Sequence, residues 1–214
     1  MGGDQGPSIT VSAAVMAADR FPLLSLILCG NEDVIKAELK KHNALEHARI
    51  SIQPTTEVVE MSDKPAQALR NKKDSSMRKS LDLVQEGKAQ ACVSAGNTGA
   101  LLAIAHFVLK MLPGVERPAL VSPLPTKIEG KNVFMLDLGA NVFSDSDTLF
   151  QFAVMGAVMA EEVDGIQAPK VALLNMGEED IKGSDHIKHT AALLSEVDMI
   201  NYVGFVEGND IFSG

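Results

Sequence analysis

Short apolar runs of strand length alternate with longer stretches of helical period along nearly the whole chain. Residues 23–28, 49–53, 90–94, 119–122, 132–138, 170–175 and 200–206 read as strands. Helical periods fill the intervals at 31–42, 75–87, 98–112, 147–163 and 184–197. Asn31 suits a helix cap, and the order Glu32, Asp33, then Lys36, Lys40, Lys41 complements the helix dipole. The stretch 98–112 is apolar nearly all round, which predicts a central helix. The expected fold class is therefore α/β, a three-layer α/β/α sandwich with a mostly parallel sheet.

No linker, repeat or low-complexity tract interrupts this alternation, so no internal domain boundary is predicted. The chain opens on a loop, Gly2-Gly3-Asp4, and closes at Ser213-Gly214 just after a strand, with no helix to cover it. A doubly wound sheet cut through its middle has this appearance. Its bare face predicts self-association of the isolated chain.

At 214 residues, with 46% hydrophobic and 22% charged side chains, the composition is that of a globular protein with a sizeable core. Acidic residues outnumber basic ones 28 to 19, and the net charge of −9 excludes a general nucleic-acid binder. Any anion must be held locally. Aromatic residues make up only 4%, without tryptophan, which argues against stacking platforms. Cys29 and Cys92 each lie in an apolar run, as buried reduced thiols do. The longest membrane-like stretch, 149–160, is too short and contains Gln151, and the N-terminus lacks the pattern of a signal peptide. A cytoplasmic location is expected.

Three segments offer chemistry. In 91–100 an apolar run passes through Ser94, Ala95, Gly96 and Asn97 straight into a helix beginning Thr98, Gly99. Free backbone N–H groups and the positive helix end suit an anion there, Gly96 and Gly99 permit close approach, and Ser94, Asn97 and Thr98 add polar groups. The same spacing also fits an ordinary capped turn. In 135–141, Asp137, Gly139 and Asn141 follow an apolar strand. Asp137 must be paired there, either in chemistry or in capping loop N–H groups. In 174–183, Lys182 beside Gly183 is the one base among three acids, a point charge for phosphate or a solvated ion pair. Gly3 with Asp4, and 207–210, add further glycine-plus-acid loops. The usual nucleotide, zinc-protease and dithiol motifs are absent.

The segments Met1-Gly2-Gly3-Asp4, Ser75-Ser76-Met77-Arg78, Ser94 to Gly99, Arg117-Pro118-Ala119, Leu136 to Asn141, Leu174-Asn175 with Gly177-Glu178-Glu179, and Lys182-Gly183 occur in one order. Together they resemble the bacterial phosphate acyltransferase family over essentially the whole chain. The resemblance implies synthesis of acyl phosphate and free acyl carrier protein from acyl-[acyl carrier protein] and orthophosphate, at the entry to phospholipid synthesis. It also implies a fold similar to isocitrate and isopropylmalate dehydrogenases and to phosphotransacetylase. A homodimer with peripheral membrane attachment is implied too, as is a membrane glycerol-3-phosphate acyltransferase as partner. Family members begin with a strand before Met-Gly-Gly-Asp and continue past Gly214 into amphipathic helices. Residues 1–214 are thus expected to be a partial domain, the N-terminal two thirds. Phe143 stands where the family usually has an acid.

Hydrogen phosphate is a nucleophile at neutral pH, so the reaction needs positioning and charge control rather than an activated serine. The expected scheme has Gly3, Asp4, Ser94, Gly96, Thr98, Gly99 and Gly183 around phosphate. Lys182 offsets charge, Asn97 or Asn141 steadies the thioester oxyanion, and Asp4 and Asp137 orient the donors. Asn97, as a surface cap, is expected to cost only about 1 kcal/mol of stability when replaced by alanine. No cofactor or metal is required, although clustered aspartates leave room for magnesium. Competing readings are a coenzyme A-dependent phosphotransacetylase, a nicotinamide-dependent hydroxyacid dehydrogenase and a noncatalytic partner-binding scaffold.

Overall fold

The computed structural model describes residues 2–141, 143–176 and 184–213. The chain divides into two compact units, Met1–Met111 and Leu112–Gly214, with no change of composition to mark the division.

In the first unit, α1 (Gly6–Arg20) leads into β1 (Leu26–Gly30), α2 (Glu32–Lys41) and β2 (Ile50–Pro54). β1 and β2 pair in parallel, with Leu26 opposite Ile50 and Gly30 opposite Pro54. Asn31 caps α2 as its sequence predicts, its side chain accepting the Val34 N–H at 3.1 Å. Val11 and Val15 of α1 pack with Ile35 and Leu39 of α2 and with Leu28, Ile50 and Ile52 of the strands. The sequence reads as a loop at the start with no helix before β1, yet Val11, Val15 and Ala18 form the buried face of α1. Arg49 ties the turn between α1 and β1, its Nη1 donating to the carbonyls of Phe21 and Leu24 at 2.9 and 3.0 Å.

Three more helices complete this unit: α3 (Pro65–Asn71), α4 (Ser76–Gln85) and α5 (Thr98–Leu109). They enclose a second core of Val59, Ala68, Met77, Leu81, Ala100 and Ile104. Two expectations are corrected here. Residues 90–94 form no strand: Val93 is 97% exposed, and only Cys92 of that run reaches the core. α5 is not buried all round; Ala100 and Ile104 face the core while Phe107 is 58% exposed, and Lys110 turns left-handed to end the helix.

The second unit pairs β3 (Val121–Pro125) antiparallel with β4 (Asn132–Leu136), then runs through α6 (Ser146–Asp164). β5 (Lys170–Leu174) pairs in parallel with β6 (Asn201–Val206) across α7 (Asp185–Ser195). β4 ends two residues earlier than its apolar run because the Asp137 carboxylate turns onto its own loop. Asp145 caps α6, accepting from the Thr148 N–H at 2.9 Å, and Gly165 ends it in the left-handed conformation. The buried Thr190 of α7 donates to the His186 and Ser146 carbonyls at 2.8 and 3.3 Å, joining α7 to α6.

The architecture is α/β, with helices around short, mostly parallel sheets. Among the described residues, no helix is long and apolar enough to cross a membrane.

Both cysteines are free and only half-buried. Burial pushes the Cys29 thiol up to about 11, with Cys92 adding to the shift. Cys29 should therefore react with a thiolate-selective reagent at pH 8 roughly a hundredfold more slowly than an unperturbed cysteine. Labelling of the folded protein with Cys29 quantified in its own peptide after quenching measures this, and a rate equal to that of the unfolded chain would contradict it.

Candidate functional site

The loop before α5 is framed by three other segments of the first unit. Gly2, at φ +90°, lies against the Val59 carbonyl, where any β-carbon would collide. A β-carbon on Gly3 would come within 3.0 Å of the Ala95 oxygen, and one on Gly96 within 3.1 Å of the Met77 methyl. One on Gly99 would meet Pro65 at 3.0 Å. The Gly2–Gly3 turn, the Met77 end of α4 and the start of α3 thus press on the loop at its glycines, leaving no room there for a β-carbon.

Asn97 sits at the centre of this frame and is 9% exposed. Its Oδ1 accepts the Ala100 N–H at 3.0 Å, capping α5. Its Nδ2 donates into three carbonyls, those of Asp63 at 2.9 Å, Met61 at 3.0 Å and Glu60 at 3.3 Å. The opposite demands of the two ends fix the orientation of the amide. Asn97 is therefore buried and not the surface cap its sequence position suggests, and neither amide hydrogen is left for an oxyanion. The Leu101 N–H goes to the Asn97 carbonyl, so the first N–H groups of α5, on Thr98 and Gly99, remain at the helix end. The Gly96 N–H donates to Ser94 Oγ at 3.2 Å. Ser94, Thr98 and Asp4 are exposed.

The second unit builds its own polar loop. The Asp137 carboxylate accepts from Asn141 N at 2.7 Å, Asn141 Nδ2 at 2.8 Å, and the Leu120 and Ala140 N–H groups at 3.1 Å each. Burial pushes its pKa up, but the hydrogen bonds from Asn141, Leu120 and Ala140 outweigh it, and the carboxyl is held below its ordinary value. Asn141 Nδ2 also reaches the Pro118 carbonyl at 3.0 Å, so its hydrogens are spent on the loop. Phe143 lies edge-on to His186, ring centres 4.9 Å apart. Lys182 and Gly183, with 177–181, lie outside the described residues.

The sequence reading missed Asp63 and Lys72. The Lys72 ammonium meets Asp63 Oδ2 at 2.5 Å and the Val58 carbonyl at 2.6 Å, and together with the Glu60 N–H it holds the Asp63 carboxyl below the usual range. Nothing in their local sequence signals this pairing. A shallow depression lined by Gln53, Lys79, Asp82, Leu83, Glu86 and Lys88 shares no residue with either loop. Among the described residues, no group of three or more His, Cys, Asp or Glu side chains is placed to hold a metal.

A family model described as fatty acid synthesis protein matches residues 1–214. The chain belongs to the fatty acid synthesis protein family. Within it, the chain is 66% identical to the phosphate acyltransferase of Colwellia psychrerythraea, 58% to that of Aeromonas salmonicida and 56% to that of Shewanella woodyi, over its whole length in each case. It spans 62–63% of the length of these relatives.

Proposed function

We propose that this chain carries the anion-binding part of a phosphate acyltransferase, which converts acyl-[acyl carrier protein] and orthophosphate into acyl phosphate and free acyl carrier protein. The observation that carries this reading is identity of 54–66% over the full chain to relatives named phosphate acyltransferase. The closed frame around 95–99 supports it. In this reading a phosphate oxygen attacks the thioester carbonyl, the carbon–sulfur bond breaks, and the leaving thiolate takes the proton of hydrogen phosphate. The Thr98 and Gly99 N–H groups hold phosphate at the positive end of α5, with the Ser94 and Thr98 hydroxyls and Gly3, Asp4 and Gly96 around it. Lys182 and Gly183 contribute from their segment, the ammonium offsetting phosphate charge. Asn97 and Asn141, whose hydrogens are committed internally, position their loops instead of donating to the oxyanion.

The fuller fold in this reading is a three-layer sandwich like that of the isocitrate and isopropylmalate dehydrogenases. The protein acts as a cytoplasmic homodimer touching the membrane peripherally, where a glycerol-3-phosphate acyltransferase takes up the product. Trapping acyl phosphate with hydroxylamine tests the reaction in a full-length version supplied with phosphate and either acyl-[acyl carrier protein] or acyl-coenzyme A. Product from the carrier protein is expected. Product from coenzyme A alone, or none, would overturn the assignment. Lys182→Ala in the same protein should raise the phosphate KM about tenfold. An unchanged phosphate dependence would remove that role.

A further inference from the structure

We propose that Lys72 is a positioning residue for the anion loop at the start of α5, acting through segment 58–63; this rests on the phosphate acyltransferase reading above. The ammonium bridges the Val58 carbonyl and Asp63 Oδ2 at 2.6 and 2.5 Å, and the same carboxylate oxygen accepts the Glu60 N–H at 2.7 Å. One cation therefore fastens both ends of the segment to the C-terminal end of α3, where Lys72 is the capping residue. The turn so formed points the Glu60, Met61 and Asp63 carbonyls at the Asn97 amide. Between these points Val59 is buried in the second core, and its carbonyl forms the surface on which Gly2 rests. The six-residue segment thus touches two parts of the loop frame, Gly2 on one side and Asn97 on the other. The Lys72 ammonium bonds to this segment, at Val58 and Asp63.

The two amide hydrogens of Asn97 are shared among the three carbonyls that the turn presents, and the amide so held sets where the Thr98 and Gly99 N–H groups point. A fixed donor pair must be held within about 0.5 Å of its productive geometry to be effective, so slack in the turn passes directly into anion affinity. Of the cations on α4, Arg78 pairs with Asp82 at 2.8 Å and Lys79 lies 3.8 Å from Asp74.

The test uses a full-length version. Lys72→Met keeps the length of the stem but removes the donors. It should raise the phosphate KM about tenfold while changing the acyl-thioester KM less than about twofold. Lys72→Arg should restore most of the loss, because a guanidinium can still reach carbonyl and carboxylate. Lys40→Met, on the exposed side of α2, controls for the loss of one positive charge and should leave both constants unchanged. A phosphate KM unmoved in folded Lys72→Met, or two constants rising together, would overturn the proposal. If the wild-type protein makes no acyl phosphate, the functional reading fails by itself. The clasp is then judged by amide hydrogen exchange: faster exchange at 97–101 in Lys72→Met, with α2 unaffected, supports it, and equal exchange refutes it.

Discussion

Asp137→Ala should be the most destabilising single substitution in the second unit, lowering its unfolding free energy by about 3 kcal/mol. The carboxylate accepts four hydrogen bonds at 2.7–3.1 Å from Leu120, Ala140 and Asn141, and alanine strands all four donors around a half-buried hole. At about 4–8 °C per kcal/mol for a unit of this size, the melting midpoint should fall by more than 10 °C. Asp137→Asn keeps the shape but turns one acceptor into a donor facing donors, so it should lie between the two. The pH dependence has a definite sign. The folded carboxyl titrates below its ordinary value of 3.8, so its contribution is complete above that pH and fades as pH falls through the folded value. Urea midpoints of wild type and Asp137→Asn should therefore converge on acidification from pH 5 to pH 3. A constant gap across that range would show that the charge plays no part.

Asn97 gives the largest expected effect in the first unit. Asn97→Ala removes the α5 cap and leaves the Glu60, Met61 and Asp63 carbonyls without their shared donor, at a cost of about 2–3 kcal/mol. Asn97→Asp is the sharper probe. It retains the acceptor for Ala100 but aims a carboxylate oxygen at three carbonyls, so at neutral pH it should destabilise at least as much as alanine. Protonation turns that oxygen into a donor, which raises the folded pKa of the new carboxyl. Stability should then return as pH falls from 7 towards 5. Denaturant midpoints at both pH values decide the matter, and an Asn97→Asp protein as stable as wild type at pH 7 would reverse the orientation given to the amide.

The sequence made much of the secondary structure legible, and the exceptions have physical causes. Five helices and six strands fall within a few residues of their apolar periods, because capping residues such as Asn31 and Ser75 act on their own neighbours. The 90–94 run failed because apolar character alone does not supply a ladder partner, and Val93 ends in solvent. The loop at 94–99 was legible from its small residues, and crowding of Gly96 by Met77 and of Gly99 by Pro65 is the reason for those glycines. The burial of Asn97 was not, since its partners lie 34–37 residues away and are backbone carbonyls, which carry no side-chain signature. Lys72 was missed for a similar reason, since one of its two partners is the Val58 carbonyl, 14 residues away. Asp137 stood between capping and chemistry on sequence alone, and its four donors are those of a loop cap.

Each strand described above pairs with the next one along the chain, β1 with β2, β3 with β4 and β5 with β6. Closing such pairs costs little loop entropy compared with threading distant strands together. During synthesis, Asn97 and the carbonyls that hold it all belong to the unit that leaves the ribosome first. The partners that hold Asn97 and the loop before α5 are therefore all supplied from within the first unit, with no residue needed from the second.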